Sequence, residues 1–205
     1  HERPHAPLDT PDFIKYMRHD ETTYAEAFQD AGHRTCHVGK WHVTVRTGPE
    51  EHGFDEVVPA RDSSVERNYE DPWCVGHYTE AIEDFMEANR DRPFLAVLSH
   101  GTVHVPLYER EERIDKYRSR EAGRNGQNNP TMAAMIERMD WSVGRVLDKL
   151  RELGLEEETA VVFTSDNGGL TNVWCAETQK LRTATSNLPY RGGKSQIYEG
   201  GIRVP

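Results

Sequence analysis

The sequence predicts an α/β protein: a mostly parallel central sheet flanked by helices on both faces. Three observations carry that prediction. Helical spacing of apolar residues gives way to a short apolar run three times along the chain. The runs suit strands buried on both faces. Each run then leads directly into polar residues of unusual type, at the end of the sheet where open parallel folds bind ligands.

The elements follow in order. Asp20 to Gly32 reads as a short helix, with Thr22 or Thr23 as cap, Tyr24, Ala27, Phe28 and Ala31 at helical spacing, and Gly32 as the stop. Arg34 to Val38 reads as the first strand. Tyr78 to Asn89 is a second helix, with Ala81, Ile82, Phe85 and Met86 on one face. After Pro93, Phe94-Leu95-Ala96-Val97-Leu98 is a continuous apolar run, expected to be a strand buried on both faces. Asn129 can cap the longest helix, Pro130 suits its first turn, and Gly154 ends it. Its stripe is Met132, Met135, Ile136, Met139, Val143, Val146, Leu147 and Leu150. Thr159 to Thr164 is expected to be a third buried strand. The stretches Val43 to Cys74, Tyr108 to Asn128 and Thr171 to Leu188 are polar and are expected to be irregular loops above the sheet.

Composition narrows the function classes. The 205 residues carry 25 Lys and Arg against 35 Asp and Glu, a formal charge of −10. That balance argues against a nucleic-acid partner, which needs a basic face to displace phosphate counterions. No apolar run approaches the roughly 20 residues needed to cross a bilayer. Cys36, Cys74 and Cys175 form no C-x-x-C pair and no zinc spacing, so their pairing stays open.

The polar residues beyond the runs are Gly39-Lys40-Trp41-His42, Ser99-His100-Gly101-Thr102-Val103-His104-Val105-Pro106 and Ser165-Asp166-Asn167-Gly168-Gly169. A fourth loop, Arg191-Gly192-Gly193-Lys194, has glycines that let backbone approach a ligand. Singly each is ordinary: a lone lysine is a solvated surface residue, and Asp-Asn-Gly-Gly is a turn. Together they would line one rim. Asp166 and Asn167 offer adjacent oxygen ligands for a hard cation such as Ca²⁺ or Mg²⁺. A cation with Lys40 and Lys194 would neutralise an oxyanion such as sulfate or phosphate. His42 and His104 could carry protons near neutral pH.

These blocks, from Gly32-His33-Arg34-Thr35-Cys36-His37-Val38-Gly39-Lys40-Trp41-His42 to Tyr198-Glu199-Gly200-Gly201-Ile202-Arg203-Val204-Pro205, resemble those of type I sulfatases in the alkaline-phosphatase-like superfamily, in the same order. His33 departs from the family's usual Tyr or Val. The resemblance implies that Asp166 and Asn167 complete a calcium site, with Mg²⁺ as the alternative ion. It implies that Lys40 steadies an aldehyde-hydrate nucleophile and binds sulfate, and that His42 is the base releasing sulfate from the covalent intermediate. His104 would protonate the leaving alcohol while Lys194 holds a sulfate oxygen. His100 receives no role.

The family's nucleophile is a formylglycine made in a C/S-x-P-x-R block, and no Cys or Ser here has that context. Its paired N-terminal aspartates have no counterpart either. Residues 1–205 are therefore expected to be part of a single sulfatase catalytic domain truncated at both ends, inactive alone. The resemblance further implies a sulfated small molecule or glycan as substrate and a periplasmic or secreted setting. Two alternatives remain open: a phosphonate or phosphodiester hydrolase of the same superfamily, and a pseudoenzyme that binds sulfated glycans without cleaving them. Asn167 favours the sulfatase, since an amide oxygen suits Ca²⁺ better than a softer metal.

Overall fold

A computed structural model describes residues 16–44, 46–61, 69–123, 126–175 and 180–205. Its centre is a three-stranded parallel sheet in the order β2-β1-β3, formed by β1 (Arg34–Gly39), β2 (Glu56–Pro59) and β3 (Phe94–Ser99). Pairing runs Cys36 to Glu56 on one side of β1 and Cys36 to Ala96 on the other. The parallel α/β architecture expected from the sequence is present.

Helix α1 (Tyr24–Asp30) precedes β1, and Thr23 is its cap. The Thr23 hydroxyl accepts from the Glu26 N–H at 3.1 Å, and the Glu26 carboxylate accepts from the Thr23 N–H at 2.7 Å. Strand β1 is buried on both faces, as its central place requires. Cys36 and Val38 face Tyr78, Ile82, Phe85 and Met86 of α2 (Val75–Ala88) and Leu150 of α4 (Pro130–Glu152). On the opposite face the Thr35 hydroxyl donates to the Gly53 carbonyl at 2.7 Å. His37 on that face lies edge-on to Trp41 and Phe54 at 5.4 and 5.2 Å.

Three expectations need correction. The β3 run is half-buried along its length, because β3 is an edge strand: Phe94, Ala96 and Leu98 pack on the core, and no described strand lies beyond it. Thr159 to Thr164 forms no strand. Thr159 is extended (φ −115°, ψ 121°), but the segment pairs with no described strand, and Val161, Val162 and Phe163 are 54, 83 and 54 % exposed. Apolar, β-branched composition makes a segment ready to pair, but a ladder needs a neighbour whose backbone groups are free. Lastly, the three stretches expected to be irregular contain β2, α3 (Glu111–Arg118) and an antiparallel hairpin of β4 (Asn172–Cys175) and β5 (Lys180–Thr183). Positions 45, 62–68, 124–125 and 176–179 of these stretches lie outside the described residues.

Helix α3 hides from pattern reading because it buries only Ile114. Charge holds it instead: Glu111 and Glu112 sit at its N-terminus, Lys116 and Arg118 at its C-terminus, and Lys116 reaches Glu137 of α4 at 2.6 Å. Asn129 caps α4 as expected, accepting from the Met132 N–H at 3.1 Å. The buried line of α4 runs through Met132, Met135, Ser142 and Leu150, leaving Ile136 and Leu147 exposed. No described helix is long and apolar enough to cross a membrane. Cys36 and Cys74 are buried free thiols, and burial pushes the Cys36 thiol up to about 12. The side chain of Cys175 is outside the described residues.

Candidate active site

The site starts where β1 and β3 end. Gly39 has φ +100°, and a Cβ there would stand 2.2 Å from the Ser99 carbonyl oxygen, so the two strands can close only over glycine. The Lys40 N–H donates to the Ser99 carbonyl at 2.7 Å, and the Ser99 hydroxyl donates back to the Lys40 carbonyl at 2.7 Å. This double link holds Lys40 beside the start of the Ser99 to Pro106 loop. A cleft of about 490 Å³, lined by Gly39, Trp41, Val57 and Pro59 among others, opens between the residues flanking Lys40 and the end of β2.

His104 lies five residues along that loop. Its Nδ1 is 2.7 Å from the Val105 carbonyl oxygen, which can only accept. Nδ1 therefore carries a proton, and Nε2 is the nitrogen left to exchange one. Burial pushes the His104 pKa down from 6.5; Lys194 and Lys40 push the same way, while the Val105 bond and Asp166 pull against them. Three charges from three separate loops thus act on one imidazole.

The loops that carry Asp166 and Lys194 dock through backbone hydrogen bonds at their glycines. The Gly168 N–H donates to the Gly201 carbonyl at 3.0 Å, and the Lys194 N–H donates to the Gly169 carbonyl at 3.0 Å. A Cβ on Gly168 would stand 2.0 Å from the Gly200 oxygen. Asn187 ties the pair together: its Nδ2 donates to the carbonyls of Gly169 and Gly192 at 2.8 and 3.1 Å, and its Oδ1 accepts from the Gly169 N–H at 3.2 Å. Sequence reasoning passed over Asn187, since a lone Asn in a polar stretch carries no signal of what it will bridge.

Asn167 spends its amide N–H on the Gly168 carbonyl at 3.0 Å, which leaves its oxygen for a ligand beside the exposed Asp166 carboxylate. Two hard oxygen donors fit part of a Ca²⁺ shell of six to eight ligands. The described residues contain no cluster of three or more His, Cys, Asp or Glu that could hold a metal. Remaining ligands would have to come from elsewhere.

His42 is less integrated. It has φ +47° and is exposed, and its ring has no hydrogen bond, ion pair or ring contact among the described residues. The charges of Lys40, Asp166 and Lys194 act on His104, with Asn167 next to Asp166 in the chain, while His42 makes no contact with any of them among the described residues.

His100 is half-buried and follows β3 directly. The Thr79 hydroxyl donates to the Val75 carbonyl at 2.6 Å, so it must accept from the Ser142 hydroxyl, also at 2.6 Å. Ser142 then accepts from His100 Nε2 at 2.9 Å, which puts the imidazole proton on Nε2. Burial pushes the His100 pKa to about 4, with Asp71 raising and Arg138 lowering it. His100 is neutral at pH 7 and anchors the loop to α2 and α4.

The human (Homo sapiens) steryl-sulfatase is 35% identical over 146 residues, covering 68% of this chain and 23% of that protein. An arylsulfatase of Hemicentrotus pulcherrimus is 28% identical over 221 residues, covering 90% of this chain and 37% of that one. The structure of Ps i-CgsB in complex with k-i-k-neocarrahexaose superposes with a TM-score of 0.73 at 20% identity, over 92% of this chain and 47% of that one. The chain thus spans about a quarter of the human relative's length. The Sulfatase family model matches residues 3–205. With that match across nearly its whole length, the chain belongs to the sulfatase family.

Proposed function

We propose that this chain supplies part of a centre that hydrolyses a sulfate ester to an alcohol and sulfate. One observation carries the reading: the charges of Lys40, Lys194 and Asp166 all bear on His104. Two lysines whose charges act on one imidazole suit an anionic group whose oxygens they can share, with the imidazole at the bridging oxygen. Lys40 and Lys194 hold the sulfate oxygens. His104, its Nδ1 committed to Val105, delivers a proton from Nε2 to the departing alcohol oxygen. Binding of the anionic ester offsets the two lysines and raises the fraction of His104 able to donate.

Asp166 and Asn167 would hold Ca²⁺, or Mg²⁺ in its place, together with ligands from outside this chain. The ion would supply positive charge beside the sulfate. His42 would be the base of the second half-reaction, and the formylglycine nucleophile would likewise come from outside residues 1–205. A sulfated small molecule or glycan is the proposed substrate, and a periplasmic or secreted setting the proposed location.

The test uses the protein expressed from the complete reading frame, assayed on p-nitrophenyl sulfate, ethyl sulfate and bis-p-nitrophenyl phosphate. Sulfate release is expected to dominate. His104→Ala should lower kcat on ethyl sulfate by about 100-fold or more, and by less on p-nitrophenyl sulfate, whose alcohol leaves without a proton. A dominant phosphodiesterase rate would overturn the sulfatase reading. Equal loss on both esters would remove His104 from the acid role.

A further inference from the structure

Beside His104 stands a residue that the proposed chemistry does not use. Trp73 begins the turn into α2 with φ +60° and ψ 14°, and Cys74 follows with φ +54°. Two consecutive non-glycine residues in the left-handed region are costly, and such backbone persists where the surroundings over-determine it, often at functional sites. Here the surroundings can be named. The Trp73 N–H donates to the Tyr108 hydroxyl at 3.3 Å, and the two rings stack with centroids 5.5 Å apart and planes at 29°. A Cβ on Gly101 would stand 3.0 Å from Trp73 Cε3, so the indole lies directly on the loop backbone three residues before His104. The indole and the His104 imidazole meet edge-on, centroids 6.4 Å apart at 71°. Tyr69, 57 % exposed, meets Tyr108 edge-on with ring centroids 5.9 Å apart.

We infer that Trp73 is a specificity-determining residue that carries the ring of the departing alcohol, and that the ring it selects is flat and apolar. The inference rests on His104 being the acid of the proposed sulfatase reaction. A proton donor must come within about 3 Å of the alcohol oxygen, so the first ring bonded to that oxygen lies only a few ångströms farther out. The half-buried indole is within that reach. What it offers is carbon: its Nε1 is buried with no hydrogen-bond partner among the described residues, so recognition is by stacking and not by donation. A ledge of this kind favours a fused or aromatic ring over one covered with hydroxyls, whose hydrogen-bonding needs it would leave unmet.

The experiment compares kcat/KM of the full-reading-frame protein for 2-naphthyl sulfate and phenyl sulfate, with methyl galactopyranoside 6-sulfate as the hydroxylated ring. Trp73→Leu keeps apolar bulk but removes the π face. The naphthyl-to-phenyl ratio is expected to fall about fivefold, mostly through KM, while Trp73→Phe retains most of it. A ratio is insensitive to a general loss of folded enzyme, and the Phe variant still reports if the Leu variant folds poorly. An unchanged ratio, or equal loss on both aryl esters, overturns the inference while leaving the sulfatase reading intact. A fall confined to the galactoside overturns the choice of ring. No sulfate release from any of the three esters by the unsubstituted protein overturns the sulfatase reading and this inference together.

Discussion

Acid should unfold this chain well before its carboxylates titrate, because the buried His37 and the half-buried His100 are held neutral. Burial holds both His37 and His100 at about 4, against an ordinary 6.5. At pH 5 an unfolded histidine of pKa 6.5 is almost fully protonated, whereas each folded one is almost fully neutral. The unfolded state therefore binds about two more protons, and stability falls as pH drops through this window. Integrated from pH 7 to pH 5, the loss is about 2 kcal/mol per histidine and about 4 kcal/mol for the pair. That is a large share of the 5–15 kcal/mol typical of a domain. His104, also lowered by burial, adds in the same direction. Carboxylates contribute lower down: Lys116 holds Glu137, and Lys149 holds Glu87, below their ordinary 4.5. Urea unfolding followed by far-UV circular dichroism at pH 7, 6 and 5 measures the slope. His37→Leu and His100→Gln, the latter keeping an N–H for Ser142, should each remove about half the loss and together most of it. Equal stability at pH 7 and 5, or a full acid loss in the double variant, would refute the reasoning.

Two further substitutions probe the supports of the site. Ser142→Ala removes, at a fully buried position, the hydroxyl that accepts from His100 Nε2–H, and should cost about 1–3 kcal/mol in urea unfolding; a change under about 0.5 kcal/mol would contradict the proton assignment. Gly168→Ala drives a Cβ to 2.0 Å from the Gly200 oxygen, so it should destabilise by about 1–3 kcal/mol and separate the Asp166 loop from the Lys194 loop; wild-type stability with unchanged sulfate release would show that the docking is not needed.

The candidate site was more legible in sequence than the sheet beneath it. Gly39, Lys40, His104, Asp166, Asn167 and Lys194 stand out because glycines next to Lys, His and Asp at the ends of apolar runs are local signals. Their convergence is not local. It depends on the Lys40–Ser99 double link, on Asn187 bridging two loops, and on glycine contacts 32 residues apart in the chain, as between Gly168 and Gly200. His42 carries the same kind of local signal as His104, yet among the described residues only His104 feels the charges of the other three loops.

Sequence by itself determined the caps of α1 and α4 and the apolar face of α2. Thr23, Asn129 and the spacing of Ile82, Phe85 and Met86 act within one or two turns of their own backbone, so no distant partner is needed to read them. Tertiary structure alone decided which apolar runs became paired strands. Phe94 to Leu98 and Thr159 to Thr164 look alike as text, but only the first lies against β1. A strand exists through hydrogen bonds to its neighbour, and the choice of neighbour is written elsewhere in the chain.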